Sequence, residues 1–284
     1  EIPEGSKTSK GRAIQNIINL PKDDKVMAYI NTKDLKDEEY INSHYIMMCT
    51  KKGVVKKTSL EAYSRPRTNG INAITIREGD QLLEAKMTTG NSHIMMAVKS
   101  GKAIHFEEEK VRSMGRTASG VRGIRLANEK DEVVGMICIE DIDSTVLVVS
   151  ENGYGKRSAV DDYRITNRGG KGVKTLQITE KTGVLISILN VTNEHDLMIV
   201  NKSGITIRMA VEDLRVMGRA TQGVRLISLR GKDEIASVCR VPKAEEEEEG
   251  VEGEQSEGEQ SEGEQPEGEQ PEGEQPEGEQ PEES

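Results

Sequence analysis

The residues best suited to chemistry in this chain are cations set among glycines. Asn167-Arg168-Gly169-Gly170-Lys171-Gly172-Val173 places two positive side chains within a run of three glycines. Glycine lets a backbone approach a ligand closely, and a guanidinium grips phosphate with a two-pronged fork. Such a loop suits the sugar–phosphate backbone of a nucleic acid and reads no bases. Taken alone, it fits a solvated turn as well. Recurrence separates the two readings. Val-Arg-Ser-Met-Gly-Arg-Thr-Ala-Ser-Gly-Val-Arg (111–122) returns as Leu-Arg-Val-Met-Gly-Arg-Ala-Thr-Gln-Gly-Val-Arg (214–225), with Tyr-Arg-Ile-Thr-Asn-Arg-Gly-Gly-Lys-Gly-Val-Lys (163–174) between them. Arg67, Arg116, Arg168 and Arg219 fall near matching positions. Packing of repeats does not by itself require a cation in every copy, so a basic track for a polyanion is the stronger reading.

The elements that must position these loops follow from the glycines. Gly70, Gly120, Gly172 and Gly223 close the loops at spacings of 50, 52 and 51 residues. A repeat of that length is one supersecondary unit per copy. Gly11, in Lys7 to Arg12, is an earlier member, and the charged insertion Lys33 to Asn42 accounts for the longer distance to Gly70. Gly53, Gly101, Gly153 and Gly204 lie about 20 residues before each loop, where hairpin turns are expected. The runs before them, such as Ile94-Met95-Met96-Ala97-Val98 and Val146-Leu147-Val148-Val149, read as buried inner strands. A more polar strand follows each turn. Each basic loop leads into a further strand (Val121 to Leu126, Val173 to Ile178, Val224 to Leu229), then an acidic turn, then a last apolar strand such as Val133 to Ile139. Four strands per unit predict an all-β, propeller-like chain of blades. The expected segments are 1–44 (half of an earlier blade plus the insertion), blades at 45–91, 92–144, 145–195 and 196–244, and a tail at 245–284.

Composition narrows the partners. Residues 245–284 hold 19 Glu and no Lys, Arg or Asp, in repeats of Glu-Gly-Glu-Gln-Ser and Glu-Gly-Glu-Gln-Pro. Setting those 19 aside leaves 31 of the 50 acidic residues against 39 basic ones, so residues 1–244 carry +8 while the chain carries −11. A basic body with an acidic, self-repelling tail predicts nucleic-acid contact by the first and disorder in the second. With no Trp and one Phe, stacking platforms for single strands are scarce, which favours a duplex. Cys49, Cys138 and Cys239 are odd in number, far apart and without a Cys-x-x-Cys pair, as expected of small core residues in a reducing cytoplasm. No apolar run approaches the ~18 residues of a membrane span. The chain starts Glu1-Ile2-Pro3, without a signal segment or an initiator Met, and reads as a fragment of something longer.

These features together resemble the family of DNA gyrase A C-terminal domains. The resemblance covers roughly residues 1–244. It rests on Lys56-Lys57-Thr58-Ser59-Leu60, Ser64-Arg65-Pro66-Arg67, Met114 to Ile124 and Asn152-Gly153-Tyr154-Gly155-Lys156-Arg157. It implies a β-pinwheel of about four and a half blades whose neighbours exchange strands. The implied activity is bending of duplex DNA around a basic rim, so that an ATP-dependent topoisomerase, an isomerase, introduces negative supercoils. The family's hallmark box, Gln-Arg-Arg-Gly-Gly-Lys-Gly, matches at Arg168, Gly169, Gly170, Lys171 and Gly172 and departs at Thr166 and Asn167. That box normally lies in the first blade, and here the match falls in a later one. DNA-contacting positions expected on this basis are Lys56, Lys57, Arg65, Arg67, Arg116, Arg122, Lys156 and Arg157, then Arg168 to Gly172, Lys174, Arg208, Arg219 and Arg225. No catalytic residue, metal site or cofactor is expected in this stretch. ATP and Mg would serve the holoenzyme, an A2B2 assembly of two gyrase A and two gyrase B chains, in a bacterial cytoplasm at the nucleoid. Alternatives are the corresponding C-terminal domain of topoisomerase IV and a propeller scaffold that binds proteins. The scaffold predicts aromatic or apolar anchors on the loops, whereas these loops are basic and glycine-rich.

Overall fold

The computed structural model describes residues 6, 9–13, 16, 18, 20, 24–141, 143–231 and 233–243. The expected disordered tail, 245–284, lies outside them. The strands are β1 (Tyr45–Thr50), β2 (Val54–Ser59), β3 (Leu82–Thr88), β4 (His93–Val98), β5 (Lys102–Glu107), β6 (Val121–Arg122), β7 (Val133–Ile139), β8 (Thr145–Ser150), β9 (Tyr154–Ala159), β10 (Val173–Lys174), β11 (Leu185–Val191), β12 (His195–Asn201), β13 (Thr206–Ala210), β14 (Val224–Arg225) and β15 (Ile235–Pro242). A short helix, α1 (Glu38–Ser43), sits in the charged insertion, where the Asp37 carboxylate accepts from Tyr40 N–H at 3.1 Å.

Among the described residues four antiparallel sheets follow one another, in the orders β3-β1-β2-β6, β7-β4-β5-β10, β11-β8-β9-β14 and β15-β12-β13. The expectation that each unit supplies all four of its own strands is corrected here. The strand after each basic loop is lent to the preceding sheet. Val121 pairs with Val55, Val173 with Ala103 and Val224 with Gly155. These lent strands are two residues long, not six, because the chain then hooks over the preceding hairpin turn. Gly123 and Ile124 both donate to Gly53 O (2.8 and 3.3 Å), and the pairs Thr175/Leu176 on Gly101 O and Leu226/Ile227 on Gly153 O repeat the arrangement. Past the hook, Ile124, Leu176 and Ile227 turn inward and are buried. The exchange of strands implied by the family resemblance is therefore present.

Continuous apolar runs make sense in this architecture because both faces of each inner hairpin strand are covered. Met47 and Cys49 of β1 join Ile94, Met96 and Val98 of β4 in one core. Met95 and Ala97, on the opposite face of β4, join Val146, Val148 and Ile188 in the next. Leu147 and Val149 do the same with Leu197 and Ile199. Ile46 and Met48 face outward from the first sheet, where Ile41 of α1 and Leu60 cover them. The acidic turns are structural clasps. Asp80 accepts from Lys52 N–H at 2.9 Å, Asp131 from Ser100 N–H and Oγ at 3.1 and 2.8 Å, and Asp233 from Ser203 Oγ. Cys49 is buried and Cys138 half-buried, but Cys239 is exposed on β15, so the core reading does not extend to it.

Candidate nucleic-acid interface

Each of the three complete basic loops lies along the outer strand of the sheet before it. Met114 N–H donates to Lys57 O at 2.8 Å, Thr166 N–H to His105 O at 2.9 Å and Met217 N–H to Arg157 O at 2.8 Å. The loop then turns at its closing glycine and enters the lent strand. At that glycine φ is +87° for Gly120, +70° for Gly172 and +77° for Gly223. A Cβ there would stand 2.5 Å from Ala103 O at Gly172 and 2.5 Å from Gly155 O at Gly223. The final glycine of each motif is thus required by a left-handed backbone and by contact with the neighbouring sheet. Gly169 also works internally, since its N–H is taken by Gly123 O at 2.5 Å.

The loops are also tied to one another, each to the next. Thr75 Oγ1 and N–H donate to Thr117 O and Ala118 O at 2.6 and 3.4 Å, joining the first loop to the second. Arg125 N–H donates to Gly170 O at 2.8 Å, and Arg168 donates to Lys110 O at 2.9 Å and Arg122 O at 3.2 Å, joining the second to the third. Gln177 N–H donates to Thr221 O at 3.1 Å, Gln222 Nε2 to Thr179 Oγ1 at 3.0 Å and Arg219 to Lys174 O at 3.0 Å, joining the third to the fourth. Four loops that are far apart in sequence form one hydrogen-bonded edge.

Ten of the expected positions lie on this edge: Arg122, Lys171, Lys174 and Arg225 are exposed, and Arg116, Arg168, Arg219, Gly169, Gly170 and Gly172 are partly so. Arg65 and Arg67, in the loop that precedes Gly70, are exposed. Arg225 is propped by Tyr154, whose hydroxyl accepts from its guanidinium at 3.0 Å. None of these cations forms an ion pair with a carboxylate among the described residues. Their charge remains available to a ligand.

Five expected contacts are corrected. Lys56 and Lys156 are fully buried, because the loop of the following unit lies over them. Lys56 Nζ donates to Ala73 O at 2.6 Å and to Arg116 O, and Lys156 Nζ donates to Gly218 O at 2.6 Å. Burial lowers both from the usual lysine value to about 8. Lys57 is buried against Glu108 at 2.9 Å and lies over the Tyr45 ring. Arg157 is buried and donates to Asn193 Oδ1 at 2.7 Å, with desolvation lowering its pKa. Arg208 is held by Asp196 at 2.7 Å.

Sequence reasoning passed over Arg112, Arg164 and Arg215. They open the three complete loops, four residues before Arg116, Arg168 and Arg219, and all are exposed. Their signal was present in the repeat itself, as an arginine in the second column of all three motifs.

The comparisons with known proteins agree on one family. The model of the DNA gyrase C-terminal domain, beta-propeller, matches residues 1–31, 44–88, 92–140, 144–192 and 195–241. The DNA gyrase A protein of Staphylococcus aureus (strain NCTC 8325 / PS 47) is 45% identical over 257 residues, which are 90% of this chain and 28% of that protein. Its counterpart in Staphylococcus epidermidis (strain ATCC 12228 / FDA PCI 1200) is 45% identical over 242 residues, 85% of this chain and 26% of that protein. The chain therefore spans little more than a quarter of the relatives it matches. In fold it is similar to the C-terminal domain of DNA topoisomerase IV (TM-score 0.74, 24% identity, 82% of this chain and 71% of the other). It is also similar to the DNA gyrase A C-terminal domain (TM-score 0.71, 24% identity, 82% and 75%).

Proposed function

The chain belongs to the DNA gyrase C-terminal domain family, and from that premise we propose that residues 1–244 bind duplex DNA along the loop edge and bend it. The observation that carries this reading is the chain of hydrogen bonds from Thr75 through Arg125 and Arg168 to Gln177 and Arg219. It makes one surface of four basic loops. Each cation on that surface neutralises a phosphate and releases counterions, and the summed contacts offset the elastic cost of the bend. Wrapping without base readout, as in histone cores, is the physical analogy.

In the whole enzyme the bent segment would be presented to the DNA gate formed with a second gyrase A chain and with gyrase B. ATP and Mg would be used there, and the assembly would act on the bacterial nucleoid. The 45% identity to gyrase A proteins favours gyrase over topoisomerase IV. The test is topological. Nicked circular plasmid is ligated with the chain bound, and the retained supercoils are counted after its removal. A retained linking difference that grows with protein supports wrapping, and relaxed product at saturating protein refutes it.

A further inference from the structure

Lys56 and Lys156 occupy the same register position on β2 and β9, and each sits beneath a basic loop of the following unit. Lys56 Nζ reaches Ala73 O and the carbonyl of Arg116 itself. Lys156 Nζ reaches Gly218 O, one residue before Arg219, and Ser158 Oγ at 3.1 Å. At the equivalent place on β5 stands Ile104, so the intervening loop, which carries Arg168, has no ammonium under it.

We propose that Lys56 and Lys156 are positioning residues for phosphate binding, each holding a loop from below and taking up a proton when phosphate settles on the overlying Arg116 or Arg219. This rests on the reading that the loop edge binds duplex DNA. At Lys56, burial lowers the ammonium first and the charge of Arg116 lowers it further. The neighbouring Tyr63 phenol donates to the same Ala73 O at 3.2 Å and is kept neutral by burial. Near Lys156, burial is opposed by Asp162 and reinforced by Arg219, with the buried Tyr163 phenol neutral alongside. Both amines therefore sit at about 8, close to neutral solution. Phosphate on the arginine cancels the repulsion that the arginine exerts. The amine below becomes easier to protonate, and one proton passes to it from solvent.

The experiment is calorimetric titration of the chain with a duplex of arbitrary sequence, at about pH 8.5, in buffers of different ionisation enthalpy. If phosphate raises each amine by about one pKa unit, roughly one proton is taken up per chain bound, and affinity falls roughly tenfold between pH 8 and pH 9. Lys56→Met with Lys156→Met should abolish the uptake. Should that pair not fold, Arg116→Ala with Arg219→Ala abolishes it, because the amines keep their backbone carbonyl partners but lose the arginine charges to which phosphate couples. Arg168→Ala, over the loop with no ammonium, weakens binding yet keeps the uptake. Salt-dependent duplex binding with no proton uptake in the wild type, or uptake unchanged in Arg116→Ala/Arg219→Ala, overturns the proposal alone. Absence of salt-dependent duplex binding overturns the interface reading and this proposal with it.

Discussion

Replacing Arg112, Arg164 and Arg215 together by alanine is the sharpest perturbation of the loop edge. All three are exposed, open equivalent loops and make no ion pair among the described residues. Their loss should leave the fold intact, with stability changed by no more than about 0.5 kcal/mol per site. Their effect on binding is set by counterion release. Each phosphate contact contributes about −0.9 to the slope of log affinity against log salt, so three contacts carry about −2.7. Between about 50 and 200 mM salt, that difference amounts to roughly 1.6 decades. The triple variant should therefore lose about 40-fold more affinity, relative to wild type, at the lower salt than at the higher. Fluorescence anisotropy with two duplexes of unrelated sequence, across a salt series, measures this directly. Parallel salt slopes for variant and wild type would show that these arginines touch no phosphate. A loss confined to one of the duplexes would show that bases, not the backbone, are read.

Other outcomes follow from the same geometry. Gly172→Ala forces a Cβ against Ala103 O at a φ of +70° and should cost on the order of 1–3 kcal/mol, read as a lower midpoint in urea unfolding. Deleting residues 245–284 removes 19 negative charges tethered to a +8 body and should tighten duplex binding at low salt, as measured by anisotropy. His105 is held below the usual histidine pKa, first by burial and then by His93, while its bond to Tyr163 O and the charges of Asp161 and Glu107 work the other way. Because the unfolded chain takes up that proton first, stability falls as pH drops below about 6.5 and levels off only below the depressed folded value. His105→Gln should flatten that acid limb in thermal melts run from pH 7 to pH 5.

Much of this architecture can be read from the repeat. The turn glycines and the flanking apolar runs are local signals, and Ile94 to Val98 or Val146 to Val149, short and bounded by turn signals, read as strands covered on both sides. The lent strand is different. Val121-Arg122 has the same composition whether it pairs within its own unit or with the sheet before, because pairing partners leave no mark in a single chain's spacing. The misplaced lysines have the same origin. Val54-Val55-Lys56-Lys57 reads as a half-polar outer strand, and Lys56 is buried beneath Ala73 of its own unit and Arg116 of the next. Arg208 could be separated from the edge only by knowing that Asp196 lies diagonally across on β12, two residues from Met198, which stands opposite Arg208. Arg112, Arg164 and Arg215 were legible in principle, but a lone arginine beside an apolar residue carries a weaker signal than one set among glycines.

Lending a strand backwards along the chain sets the order in which the molecule can be completed. When a ribosome has just released β5, both edges of the β4–β5 hairpin are bare: β4 waits for β7, and β5 waits for Val173-Lys174, some 66 residues further on. An uncovered edge therefore travels toward the C-terminus as synthesis proceeds, always one unit behind the newest hairpin. Pausing translation within a loop would prolong its exposure and invite pairing with a neighbouring nascent chain.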